Sequence, residues 1–240
     1  MNYKNLTIIG TSHIARQSLM EIHEAFKEKP DIVALELDDR RLYGLLHEIK
    51  TSKGMGLIKT VGFNGYLFSL IGAWIQKKLG SEVGVMPGSE MKLAYKLAKK
   101  NNCRVELIDQ DILITLRKFS KAFTWREKLR IVADIFNGIF FGKRELKEMG
   151  FDGDLSKVPE REVIKKMIQR VKKRYPGIYK VLVEDRNYFM ANNLQRLLTL
   201  NPDKKILAIV GAGHEEEIIR LLKLTEGRIN YTYSFAHFVK

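Results

Sequence analysis

Cysteine is almost absent: the 240 residues hold one, Cys103. No disulfide framework can close within the chain, which fits a reducing, cytoplasmic setting. Cys103 lies in the apolar run "CRVELI" and reads as a buried small residue, with a redox or nucleophilic thiol as the alternative. A membrane-spanning run is absent too. The longest apolar stretch, "VGFNGYLFSLIGAWI" at Val61–Ile75, has 15 residues. A spanning helix needs roughly 20, and this stretch contains Asn64, so it reads as a buried or interfacial helix. The opening "MNYKNLTIIG" lacks the apolar core and cleavage site of a secretory leader, and none is expected. No shift in composition marks a second domain. With 45% hydrophobic and 29% charged residues, the chain reads as one folded domain over 1–240.

Positive charge is present in excess. The formal net charge is +14 and the pI about 9.7. Between Arg117 and Lys180 there are 18 Lys and Arg against 8 Asp and Glu. That surface is either a set of solvated helix faces or an attractor of nucleic acid, anionic lipid or acidic peptide. Nucleic acid is the weaker of these readings, because no recognised motif or aromatic stacking set accompanies the charge.

Strand signals are few. "LTIIG" (Leu6–Gly10) and "DIVALEL" (Asp31–Leu37) flank a helical stretch with Ile14, Leu19, Ile22 and Phe26 roughly on one face. This is a βαβ unit, so the two strands are expected to be parallel neighbours. "CRVELID" (Cys103–Asp109) reads as a third strand after an amphipathic helix that Ser89 could cap. "KILAIVG" (Lys205–Gly211) is a fourth and "RINYTYSF" (Arg228–Phe235) a last. Helical spacing covers Asp39–Ile49, Gly65–Leu79, Asp111–Phe119, Arg126–Phe136, Arg161–Arg174 and Tyr179–Leu198. The expected fold is α/β, a central mostly parallel sheet with an inserted helical cap at about 61–174.

One phrase is written twice. "TIIGTSH" ends at His13 and "LAIVGAGH" at His214, each an apolar strand closed by Gly-x-x-His and followed by a helix. In an open α/β sheet, ligands collect at the carboxyl ends of parallel strands. The glycine permits a tight turn there, and the helix N-terminus opposes protonation of the imidazole. Neutral imidazole is the metal-binding form. Glu36 is anomalous in the apolar run "IVALEL", since a buried unpaired carboxylate is costly. Two His and one Glu suit a hydrolytic metal site. Arg186, in "VEDRNYFMANNL", could hold a substrate carboxylate or an oxyanion. Asp109 ends the third strand at the same rim as Glu36, and Asp111 should cap the next helix.

These segments, with "GVMPGSEMKLAYKLAKKNN" and "ILAIVGAGHEEEI", resemble the TraB family, also called the pheromone-shutdown or PrgY-like family. It sits within the Tiki and erythromycin-esterase-like superfamily, some members of which are metal-dependent proteases or hydrolases. The resemblance implies that Gly10–His13 and Gly211–His214 are the paired motifs, Glu36 the motif Glu and Arg186 the motif Arg. Glu90 and Asp109 match further recurrent positions. Asn187 stands where Asp is usual and Gln110 where Arg is usual, and both are expected to lie clear of the ligands. Many members carry a C-terminal membrane domain, whereas this chain reads as a soluble form.

The resulting expectation is a metal-dependent hydrolase directed at a peptide. His13, His214 and Glu36 are the ligands of a divalent ion (Mn, Co or Zn). Glu36, if it is not a ligand, and Arg186 are catalytic. Glu90, Asp109 and Glu184 contact substrate. The alternative is a peptide- or partner-binding protein that uses the same crevice without turnover. Peripheral membrane contact through the basic segment and a homo-oligomer through the apolar helices are the further partner expectations.

Overall fold

The computed structural model describes residues 1–11, 16–47, 58–62, 65–66, 88–136 and 161–225. Five strands, β1 (Asn2–Tyr3), β2 (Leu6–Thr11), β3 (Ile32–Leu35), β4 (Arg104–Leu107) and β5 (Ile206–Gly211), form one sheet in the order β1-β2-β5-β3-β4. Only β1 runs antiparallel, against β2; the other three pairings are parallel. Helices among the described residues include α1 (Arg16–Phe26), α2 (Asp39–His47), α3 (Ser89–Lys100), α4 (Ile112–Ala122), α5 (Trp125–Phe136), α6 (Arg161–Arg174), α7 (Pro176–Tyr179), α8 (Asp185–Leu200) and α9 (215–225).

The mostly parallel α/β sheet agrees with the sequence, but the strand order does not. β2 and β3 were expected to be neighbours, and β5 lies between them. Burial explains the order. All six residues of β5 are buried, whereas β2 leaves Thr7 exposed. A strand that is apolar at every position needs partners on both edges and cover on both faces. β2 is the poorer candidate for the centre and takes the outer place beside β1.

Side chains alternate across β5. Ile206, Ala208 and Val210 point into a cluster with Leu6, Ile8, Met190, Leu194 and Leu222, which packs α8 and α9 on one face. Leu207 and Ile209 point into a second cluster with Ile22, Val33, Leu35, Met91 and Ala94, which packs α1 and α3 on the other. Cys103 belongs to that second cluster, donates to the Pro30 carbonyl, and has its thiol pushed up by burial. It is a buried small residue.

Three local expectations need adjustment. Ser89 is the first helical residue of α3 rather than its cap; Gly88 precedes it at φ 82° and offers no side chain. The stretch Tyr179–Leu198 is not one helix, because Lys180–Glu184 runs as a π-helical turn between α7 and α8. Asp111 does cap α4, accepting from the Leu113 amide at 2.7 Å. The last expected strand, Arg228–Phe235, lies outside the described residues. So do large parts of the expected cap, at 67–87 and 137–160.

Gly10 lies on β2 where the chain passes the turn after β5. A Cβ there would stand 2.9 Å from both the Ala212 Cα and the Glu215 carboxylate. Gly10→Ala is therefore expected to lower stability by roughly 1–3 kcal/mol, as overpacking against backbone does. Thermal unfolding followed by circular dichroism measures it.

Candidate functional site

The carboxyl ends of β3, β4 and β5 lie side by side, and each strand delivers a polar residue just past its last paired position. Register sets Leu35 opposite Ile209 and opposite Leu107. Glu36 follows Leu35 directly, and its amide donates to the Ile209 carbonyl at 3.0 Å. Its Oε2 accepts from the Gly211 amide at 2.5 Å. Glu36 is thus fastened to β5, not to the β2 strand that precedes His13. Asp109 follows β4 by two residues, with its amide donating to the Leu37 carbonyl.

Arg186, in the first turn of α8, closes the group. Its Nη2 donates to Glu36 Oε1 and to Asp109 Oδ2 at 2.5 Å. Its Nε lies 3.1 Å from both Asp109 oxygens. The Asp109 side chain is fully buried and that of Glu36 nearly so. Burial works against the Arg186 charge, but the Glu36 and Asp109 carboxylates outweigh it and hold the guanidinium above its usual value.

A second guanidinium brackets Asp109. Arg41 Nη2 donates to Asp109 Oδ2 at 2.5 Å, and its Nε to Asp38 Oδ2 at 2.6 Å. Asp38 in turn caps α2 by accepting from the Arg40 and Arg41 amides. Burial opposes the Arg41 charge as well, and Asp109 and then Asp38 outweigh it. Arg41 and Asp38 went unrecognised in the sequence. The signal was present in "LDDRR": an Asp opening a helix with an Arg three residues on, directly after the strand-end Glu36. Among the described residues this cluster sets Glu36, Asp38 and Asp109 against Arg41 and Arg186. It carries one carboxylate more than it has guanidiniums.

His214 stands at the edge of the cluster. Its Nε2 is 3.6 Å from Glu36 Oε1 and 3.5 Å from Arg186 Nη1. Its Nδ1 is 2.6 Å from Asn187 Oδ1 and donates to it. Asn187 was expected to stand clear of the proposed ligands, and it touches His214. Arg186 and Asn187 are adjacent on the first turn of α8. Residues about 100° apart on a helix can both face one crevice.

Gln110 does stay clear of Glu36 and His214. It joins Lys118, which reaches Gln110 Oε1 and Asp185 Oδ2 at 3.0 Å each and so ties the start of α8 to α4. Glu184 pairs with Lys180 on its own turn at 3.7 Å. Glu90 is buried in the first turn of α3. His13 lies outside the described residues. Among those described, no three His, Cys, Asp or Glu side chains form a complete metal-donor group. A cavity of about 560 Å³ adjoins the His214 turn, lined by Asn187, Gly213, Ile168, Val183 and Ile219 with Arg220.

Comparison with known proteins covers the same ground. A sequence model described as the TraB/PrgY/gumN family matches residues 2–227. An uncharacterized protein of Methanocaldococcus jannaschii is 37% identical over 231 residues, spanning 94% of this chain and 55% of that protein. A TraB domain-containing protein of Homo sapiens is 20% identical over 232 residues, 86% of this chain and 60% of its own length. The Mus musculus counterpart gives the same figures. The chain therefore spans little more than half the length of these curated relatives.

Replacing Arg186 by Met leaves Glu36 and Asp109 buried without their shared cation. The expected cost is about 3–5 kcal/mol at neutral pH. Chemical denaturation of both proteins at neutral pH checks the size.

Proposed function

The chain belongs to the TraB/PrgY/gumN family, and from that premise we propose that it is a metal-dependent hydrolase acting on a peptide at the rim formed by Glu36, Arg186 and His214. The observation that carries the proposal is the convergence of His214 Nε2 and Glu36 Oε1 at 3.6 Å. Two donors bound at usual lengths to one tetrahedral ion lie about 3.4 Å apart. Asn187 on Nδ1 is the outer partner that metal-binding imidazoles generally require. In this reading a divalent ion, Mn, Co or Zn, would be held by His214, Glu36 and, from the sequence motif, His13, and it would polarise a carbonyl and lower the pKa of water.

The chain's own groups have distinct tasks in this reading. Asn187 fixes the imidazole tautomer. Arg186, its side chain 15% exposed, lies beside both Glu36 and His214, and it stabilises negative charge developing on a carbonyl oxygen. Asp109 and Arg41 hold Arg186 in place. The cavity beside Asn187, with its apolar wall of Ile168, Val183 and Ile219, is of a size that takes a side chain or two of a peptide.

The test is peptide cleavage by protein loaded with Mn, Co or Zn. His214→Ala and Glu36→Gln should abolish turnover. Asn187→Ala should weaken metal binding by about 10–100-fold in calorimetry. Turnover that survives in both His214→Ala and Glu36→Gln overturns the assignment. Tight peptide binding without cleavage under every metal replaces it with sequestration in the same crevice.

A further inference from the structure

Among the described side chains of α5 the buried ones are acids, Glu127 and Asp134, with Ile131 between them half-buried. Its outward line, at i, i+4 and i+8, is Trp125, Leu129 and Ala133, with Trp125 75% and Leu129 67% exposed. An ordinary surface helix has the opposite arrangement.

The buried acids are fully engaged. Asp134 accepts from Arg174 and from the Tyr175 hydroxyl. The Arg174 hydrogen bonds hold its carboxyl below the usual range against the burial that opposes them. Glu127 accepts from the Gly177 amide at 2.7 Å and from the Thr124 amide and hydroxyl. The negative charge of the helix is therefore turned inward, and that of Asp134 is matched by Arg174.

What faces out around Trp125 and Leu129 is positive. Arg126 and Arg130 flank them on α5 and are exposed. Arg130 Nη1 reaches the Arg174 carbonyl at 2.7 Å, which brings the end of α6 alongside with its exposed Lys172 and Lys173. Lys128 lies over the Trp125 ring, 4.4 Å from its centre.

We propose that this face of α5, with the end of α6, docks on an anionic lipid bilayer. Trp125 and Leu129 enter the headgroup region while Arg126, Arg130 and Lys173 meet the lipid charge. Charge complementarity and the apolar centre select this occupant. A second copy of the chain would set one positive rim against another. A nucleic acid would need an open aromatic face for stacking, and here Lys128 covers the Trp125 ring. A lysine lying over an aromatic ring at the water interface suits a membrane surface. Among the described residues no helix is long and apolar enough to cross a bilayer, so the contact is made from one side. It requires neither metal nor turnover and stands apart from the catalytic proposal.

The experiment is co-sedimentation of the full chain with phosphatidylcholine vesicles, with and without phosphatidylserine, at low and high salt. The expected result is pelleting with phosphatidylserine vesicles alone, weakened by salt. The double variant Trp125→Ser, Leu129→Ser should bind at least about tenfold more weakly, from the lost apolar burial, with an unchanged melting temperature because both side chains are exposed. In a Trp74→Phe background, Trp125 fluorescence should shift to the blue on binding. Failure to pellet at low salt overturns the proposal, as does vesicle binding unaltered in the double variant. Equal binding of variant and parent to a single-stranded RNA of matching charge, with no vesicle preference, assigns the face to polyanions instead. A dimer in solution that the double variant dissolves assigns it to a second copy.

Discussion

One guanidinium, that of Arg186, holds the charged rim together. It is shared by Glu36 at the end of β3 and Asp109 beyond β4, two carboxylates that could not be buried side by side without a cation between them. α8, which carries Arg186, packs on the opposite flank of the same sheet through Met190 and Leu194. Docking of α8 and assembly of the charged rim are therefore one event. The apolar half of the helix supplies the driving force, and the first turn supplies the pairing that makes the burial of Glu36 and Asp109 tolerable. Arg41 extends the logic by one step. Asp109 lies between two cations, and Asp38 positions the second while capping α2.

Strand order turns that pairing into a site. Because β5 is the central strand, the turn that follows it emerges beside β3. Gly211 can then donate to Glu36 across 175 residues of sequence. Had β2 and β3 been neighbours, Glu36 would have faced the turn after β2, and His214 would have stood one strand farther off. The central place of β5, set by its unbroken burial, is what brings His214 Nε2 within 3.6 Å of Glu36 Oε1.

Much of this was legible in the chain. Parallel strands followed from short β-branched runs separated by helix-length segments. Glu36 stood out because a carboxylate in an apolar strand needs a reason, Asp109 was placed at the same rim, and Arg186 was singled out as a holder of negative charge without its partners. What was not legible falls into two kinds. Strand order among runs of similar composition is a matter of which is apolar at every position, and periodicity alone does not rank them. Pairwise partners are the second kind. Nothing in "EDRNYF" says that Asn187 meets an imidazole 27 residues later. The π-turn at Lys180–Glu184 also escapes a pattern search, since its residues have ordinary helical spacing. Inserted turns of this type are found often at functional sites, and this one directly precedes the three residues Asp185, Arg186 and Asn187.

Helix α5 and the rim are joined by backbone. Glu127, on the buried face of α5, accepts from the amide of Gly177 on α7, and α7 leads through the π-turn into the first turn of α8. The contact is close: a Cβ on Gly177 would lie 2.7 Å from a Glu127 oxygen and 2.5 Å from the Ala122 carbonyl oxygen. Asp134 holds the residues just upstream, Arg174 and Tyr175, in the same way. The acids of α5 are thus buried for a reason that its outward residues do not share. They anchor the segment that sets the register of Arg186 and Asn187, and so the inner face of α5 is fixed by the site. Trp125 and Leu129 have no such duty within the described fold. They lie off that inner face, on the exposed side of the helix.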